Sequence, residues 1–276
     1  MRKAAVRPAS PSPAEPAFGA SLAYNAEAAS KYLNAVEASL LAQKDAPGDE
    51  ARAATAALKA RARAVKERFF RRHAVAVYDQ VTDHGARFLR VAELVAAAAN
   101  RYPALLPTPA QIEAERALEQ QSAKEGRELD QGLFVAQVLA DERCGMHLIH
   151  AMLRPKREAL ERLAEFRRSG LVDFGEAKVE RKGKVGHVIL TNNKFLNAED
   201  DRATAALETG VDLVLLDDTI EVGVLRGGTV QHPKYAGRRV FNAGINLTHL
   251  YYGQISFIDF FMQRELGFLN LSLIHI

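Results

Sequence analysis

Between residues 21 and 170, apolar positions recur at helical rather than strand spacing. Leu58, Ala62, Val65 and Phe69, three or four apart, line one face of a helix. The same stretch is rich in alanine and short of β-branched runs, which favours helix intrinsically. Its punctuation agrees. Thr108 and Gln111 form a capping box around Pro109 at the first helical position, Pro155 opens a further helix, and Gly170 can close it. A helical domain is therefore predicted over residues 21–175. Ahead of it, residues 1–20 contain RPASPSPAEPAFG, with no apolar period, and are expected to form a disordered, mobile arm.

After Gly170 the period changes. VGHVILT (185–191) alternates as a strand does, NNKFLNAED turns the chain into a helix from about Glu199 to Leu216, and VGVLRGG (222–228) reads as a second strand ending on two glycines. Strand, helix, strand implies a parallel crossover. A loop from Thr229 to Arg239 precedes VFNAGINL (240–247), and residues 246–269, rich in Phe, Ile and Leu, look helical again. The fold class is α+β, with no internal repeat.

Composition narrows the partners. At 276 residues and 48% hydrophobic, the chain can bury one large or two modest cores. Its 37 basic and 34 acidic residues leave a net charge of +3, so no nucleic-acid partner is expected. A lone cysteine, Cys144, excludes an internal disulfide framework and fits a reducing cytosol. No charged n-region followed by an apolar run opens the chain, and no stretch approaches a membrane span; a cytoplasmic protein without a membrane partner is expected.

Several constellations carry possible chemistry. The run 52–72 holds eight basic residues and one acidic one; it could meet phosphate, but such a run is more often the solvated face of an amphipathic helix. Cys144, His147 and His150 have the spacing C-x-x-H-x-x-H. On a helix these positions step by about 60°, so all three converge poorly on one ion, and no metal is expected. In VFNAGINL, Ala243 and Gly244 allow a ligand close to the backbone, and the following helix begins with N–H groups that lack intrahelical partners. That is an oxyanion or anion site made of backbone. QHPKYAGRR (231–239) places His232, Lys234, Arg238 and Arg239 just ahead of it, beside an anionic ligand or simply in solvent. Glu199 reads as a capping carboxylate, and Arg264 among apolar neighbours needs a partner, for which Glu265 is at hand. No P-loop, G-x-S-x-G elbow, G-x-G-x-x-G turn or H-E-x-x-H is present.

VILTNNKFLNAE, VGVLRGG and FNAGINL together resemble the opening half of a crotonase-fold, acyl-CoA-processing core. Asn192–Ala198 stands where that superfamily has its first coenzyme A loop, without the leading Arg-Pro. Ala243-Gly244-Ile245-Asn246 matches the Ala-Gly-x-Asp oxyanion loop, with Asn246 for the usual Asp, which argues against an ordinary hydratase. More narrowly, LNAEDDRATAALETGVDLVLLD, HPKYAGRRVFNAGINLTHLYYGQISFIDFFMQRELG and DQGLFVAQVLADERCGMHLIHAMLRP are similar to the 3,5-dihydroxyphenylacetyl-CoA 1,2-dioxygenase family. Its members supply 3,5-dihydroxyphenylglyoxylate for the dihydroxyphenylglycine of glycopeptide antibiotics, using dioxygen without metal or organic redox cofactor.

The resemblance implies an N-terminal all-helical domain followed by the first half of a crotonase-type ββα core over residues 176–270. It implies no cofactor, with O2 and a coenzyme A thioester as substrates. The Ile245 N–H would be one oxyanion donor; Glu199 and Arg264, with Asn193 and Gly244, would meet the hydroxylated ring; Lys194, Leu196, His232 and Ala243 would lie along coenzyme A. SFIDFF would supply apolar walls. The proton-abstracting base is not identified. A trimer or hexamer is implied for the whole enzyme. The likeness stops at residues 271–276, LSLIHI, which match the translation of a sequencing adapter. They are expected to be an adapter-derived tail on a C-terminally truncated chain that is inactive and poorly folded alone. Another acyl-CoA hydratase or isomerase of the superfamily, or a non-catalytic helical oligomerisation module, are the alternatives.

Overall fold

A computed structural model describes residues 13–43 and 48–274. Residues 22–169 form helices α1 (Leu22–Ala42), α2 (Asp49–Thr82), α3 (Val91–Arg101), α4 (Pro109–Arg116), α5 (Glu128–Ala140), α6 (Glu142–Met152) and α7 (Arg157–Ser169). The expected capping box forms at Thr108, and Gly170 closes α7 in the left-handed conformation. Pro155 does not itself open α7: Lys156 is the N-cap.

The long α2 is the axis of the helical layer. Its face carrying Leu58, Val65, Phe69, Phe70 and Val77 is buried, and Phe70 meets Phe134 of α5 at 5.3 Å between ring centroids. Most cations of the basic run are taken by carboxylates: Lys59 pairs with Glu125, Lys66 with Asp130, and Arg61 and Arg68 with Glu15. Glu15 belongs to the stretch expected to be a mobile arm, and there the expectation is corrected for residues 13–20. Phe18 packs edge-on against Phe69 at 6.1 Å, and Gly19 exchanges two 2.8 Å hydrogen bonds with Asn25. Pro13 and Pro16 lack the backbone N–H that a helix or strand would use, but one aromatic and one carboxylate suffice to dock the segment. Residues 1–12 of the arm lie outside the described residues.

The second layer is a mixed four-stranded sheet in the order β1 (Leu171–Asp173), β2 (Ala177–Lys182), β3 (Val185–Leu190), β4 (Val222–Gly227). β1–β2 and β2–β3 are antiparallel. β3 and β4 are parallel, from Val185↔Val222 to Leu190↔Gly227, joined by α8 (Asp201–Leu216) as the pattern predicts. The α+β class therefore holds. β1 and β2 were not foreseen, because EAKVERK buries only Ala177 and Val179 and charges every other position. α8 lies close on the sheet at Gly210, where a Cβ would come within 3.1 Å of Val179 and Val188. A second core of Phe166, Val179, Val188, Leu190, Leu207 and Leu213 fills the space between.

Residues 246–269 are not one helix. α9 (Leu247–Tyr251) ends at Gly253, at φ 65°, whose carbonyl accepts from Lys124. The side-chain oxygen of Ser256 then caps a wide, π-type helix over Phe257–Met262, a second such stretch covers Arg264–Leu269, and α10 (Asn270–Ile274) follows. This segment joins the two cores, since Ile258 sits in the first and Phe268 in the second. Leu271 to Ile274 of the proposed tail continue the helix; residues 275 and 276 lie outside the described residues. Among the described residues, no helix is long and apolar enough to cross a membrane.

Candidate active site

The site is assembled where the chain crosses itself at the end of the parallel strand pair. A Cβ on Gly227 would lie 1.8 Å from the Val240 carbonyl oxygen, and one on Gly228 2.7 Å from that of Leu190. Only glycine admits this crossing, which carries residues 240–246 past the β3–α8 loop. That loop is shaped by asparagine. Asn192 donates to Ala198 O at 2.8 Å, and fully buried Asn197, at φ 58°, donates to Gly228 O and Val240 O at 3.2 and 2.7 Å. Leu196 also has a positive φ, 57°, rare for a bulky residue and therefore held by its surroundings.

Glu199 and Ile245 form a parallel bridge. The Glu199 N–H donates to Gly244 O at 2.8 Å and its carbonyl accepts from Asn246 N at 2.7 Å. In such a bridge the facing residue turns its own N–H and C=O to the other side. The Ile245 N–H thus points away from the strand that clamps it, next to exposed Ala243 and Gly244.

Side chains of paired residues share one side of a bridge, so the Glu199 carboxylate accompanies Ile245. It is 7% exposed and accepts from Arg264 Nε at 2.5 Å and from the Asn242 side-chain amide. Asn242 also accepts from Gly244 N, so one side chain links the carboxylate to the turn. Arg264 reaches Glu265 at 2.7 Å with Nη1. Burial disfavours its charge, yet the bonds from Glu199 and Glu265 outweigh burial and make the guanidinium more basic than usual.

Glu199 is not the cap of α8. Asp200 is, accepting from Ala203 N at 3.0 Å, because an extended residue at N-cap turns the preceding side chain to the opposite face.

The remaining predicted residues fall along the same seam. Asn193 has a buried Oδ1 with no hydrogen-bond partner among the described residues, and its carbonyl accepts from Gln231 N at 3.3 Å, which ties the two loops together. Lys194 is exposed, its ammonium 5.5 Å from the Phe195 ring centre. His232 sits in a turned-back loop closed by the Thr229–Arg239 bridge, its ring 5.4 Å from Tyr235. Lys234, Arg238 and Arg239 are exposed around it. Of SFIDFF, Phe257 and Ile258 pack into the helical core.

Cys144 and its neighbours are occupied elsewhere. Burial pushes the Cys144 thiol up to about 12, His147 bonds Tyr78 Oη at 2.7 Å and Gly85 O at 2.9 Å, and His150 is exposed. Among the described residues, no group of three or more His, Cys, Asp or Glu side chains is placed to hold a metal ion.

Three residues at the seam were missed: Asp200, Asn242 and His249. His249 Nδ1 lies 2.8 Å from Asp200 Oδ2 and its ring 5.0 Å from Phe195. The density of asparagines in NNKFLN and FNAGIN was the one available signal.

No family model matches the chain. A curated acyl-CoA oxygenase does resemble it: 208 residues, 75% of this chain, align at 49% identity, which makes the two chains homologues. That relative is (3,5-dihydroxyphenyl)acetyl-CoA 1,2-dioxygenase of Amycolatopsis orientalis, and the chain spans about half of its length, 48%.

Proposed function

We propose that this chain carries part of the active site of a dioxygenase converting 3,5-dihydroxyphenylacetyl-CoA and O2 to 3,5-dihydroxyphenylglyoxylate and coenzyme A, on a crotonase-type core and without metal or organic cofactor. The observation that carries this is the Ile245 N–H, turned away from the strand that clamps it, with the buried Glu199 carboxylate held by a partly exposed Arg264. Removing a proton from the benzylic carbon puts negative charge on the thioester oxygen, and a fixed N–H donor stabilises it as it develops. The enolate reduces O2 and forms a C–O bond at that carbon. The distal peroxide oxygen then attacks the thioester carbonyl and coenzyme A leaves as thiolate. Cleavage of O–O, with loss of the remaining benzylic hydrogen as a proton, leaves the 2-oxo acid. Both oxygen atoms enter the product and the two benzylic protons are released, so the atoms balance.

Glu199 and Arg264 suit the two ring hydroxyls: the carboxylate accepts from one, and the guanidinium donates to the other. Asn193, whose buried side-chain oxygen has no partner among the described residues, and Gly244 would complete the ring site. Lys194, Leu196, Ala243 and His232 would follow coenzyme A, whose phosphates the exposed Lys234, Arg238 and Arg239 attract. Assembly of the whole enzyme as a trimer or hexamer would cover the exposed apolar side chains of Leu247 and Tyr251, 69% and 60% accessible here.

Titration calorimetry on the chain with dihydroxyphenylacetyl-CoA and with phenylacetyl-CoA tests the substrate class. Polar groups left unpaired by the bare ring cost about 1–3 kcal/mol each, so the dihydroxylated ligand should bind at least about tenfold tighter. Glu199→Gln should erase most of that preference. Equal binding of the two thioesters would refute the assignment.

A further inference from the structure

We infer that Asp200 is the positioning residue of the oxyanion loop, its buried carboxylate aiming the Ile245 N–H through Asn246 and His249. This role rests on the thioester chemistry proposed above. Asp200 is 3% exposed and its two oxygens have separate duties. Oδ1 accepts from Ala203 N at 3.0 Å and caps α8. Oδ2 gathers three donors from two segments: His249 Nδ1 of α9 at 2.8 Å, Asn246 Nδ2 at 3.2 Å and Asn192 Nδ2 at 3.4 Å. A carboxylate offers about four lone-pair directions, so the group is saturated by the protein itself.

The geometry gives these bonds one effect. Asn246 follows Ile245 directly, and its peptide N–H is already held by the Glu199 carbonyl at 2.7 Å. With the side-chain amide held as well, Asn246 has two fixed points, and its own Oδ1 caps α9 by accepting from His249 N at 3.2 Å. The peptide plane between Gly244 and Ile245 then has little freedom to rotate, which is what a preorganised donor requires. Along this extended chain Glu199 and Asp200 point to opposite sides. The carboxylate toward the ring serves binding, and the one behind it serves alignment.

The same geometry accounts for Asn246 in place of the aspartate usual in Ala-Gly-x-Asp loops. An aspartate there would set a second buried carboxylate against Asp200 Oδ2, whereas the amide donates to it.

The test uses the 276-residue chain and 3,5-dihydroxyphenylacetyl-CoA labelled with 13C at the thioester carbonyl, under nitrogen. Asp200→Ser keeps a capping oxygen for Ala203 N but deletes the one that holds Asn246 and His249; Asp200→Asn keeps the shape and puts an amide where three donors converge. Wild type is expected to shift the bound carbonyl resonance downfield. Both variants are expected to bind the thioester with α8 intact by circular dichroism, and to lose that shift. A downfield shift undiminished in the folded variants would overturn the positioning role and leave the oxyanion assignment standing. A wild-type chain that binds the thioester without any shift, or does not bind it, would overturn the oxyanion assignment and the positioning role with it. His249→Gln, which spares the α8 cap altogether, is expected to diminish the shift, and a full wild-type shift in it would count against His249 as a link.

Discussion

Asn246 and Asp200 face one another across a seam closed to solvent, amide nitrogen to carboxylate oxygen at 3.2 Å, 2% and 3% exposed. This pair makes the polarity of position 246 testable. Asn246→Asp would place two carboxylates where one was matched to an amide, and like charges at this separation do not both stay ionised. One proton is retained, with a folded-state pKa raised above the unfolded value near 4. Stability contributed by that proton is present at low pH and lost as pH rises through the raised value. The variant should match wild type near pH 4 and fall about 2–4 kcal/mol below it at pH 8, read from urea midpoints. A constant difference across that range would rule this explanation out.

Glu199 and Arg264 couple across 65 positions of sequence at 2.5 Å. Arg264 keeps 27% of its side chain exposed, so water softens the loss of its partner. Arg264→Met should destabilise by about 1–3 kcal/mol, with Glu199→Gln similar, and the double variant should cost about 1 kcal/mol less than the sum. Additive effects in the cycle would mean that the pair carries no coupling without a ligand.

Much of the scaffold was legible because it obeys local rules. α2 follows from the spacing of Leu58, Val65 and Phe69, α4 from Thr108 and Gln111, and the parallel crossover from two apolar runs around one amphipathic helix. β1 and β2 were not, since Lys178, Glu180 and Lys182 hide the two buried positions of a short strand. At the site, Ile245, Glu199 and Arg264 came from resemblance, and the ion pair between the last two had no local sign. Glu265 looked the nearer partner and is the second one. Asp200, Asn242 and His249 act through contacts 43 to 49 residues apart, which no period or capping pattern encodes.

Two further carboxylates set a pH dependence of the fold. Burial raises Asp201 to about 7, with Asp259 and Glu128 adding to the effect, and raises Asp212 to about 6. Both exceed the unfolded value near 4, so the folded chain binds more protons in between. Their contribution is complete below about pH 4 and is lost as pH rises through 6 and 7. Urea midpoints should therefore decline from pH 5 to pH 8. Asp201→Asn retains an acceptor for Ser256 N and removes the charge, so it should flatten that decline and be more stable than wild type at pH 8. An unchanged slope in the variant would assign the decline to other groups.

The crossing at Gly227 separates steric necessity from conformational preference. Gly237, in the His232 loop, has a positive φ of 77° and nothing within 4 Å of a Cβ. An alanine there meets only the backbone penalty, about 1–2 kcal/mol. Gly227 has no such φ, but its Cβ would stand 1.8 Å from the Val240 oxygen and 2.7 Å from Phe241 Cα, atoms of backbone that cannot swing aside. Gly227→Ala must push residues 240 and 241 off the β3–α8 loop, breaking the bond from Asn197 to Val240 O and moving the segment that ends at Ile245. It should cost about 3 kcal/mol or more and abolish thioester binding, whereas Gly237→Ala should bind like wild type. Should Gly227→Ala bind the thioester normally, the crossing would be free to shift, and the rigidity of the Ile245 donor would have to come from the Glu199 bridge, Asp200 and Asn242.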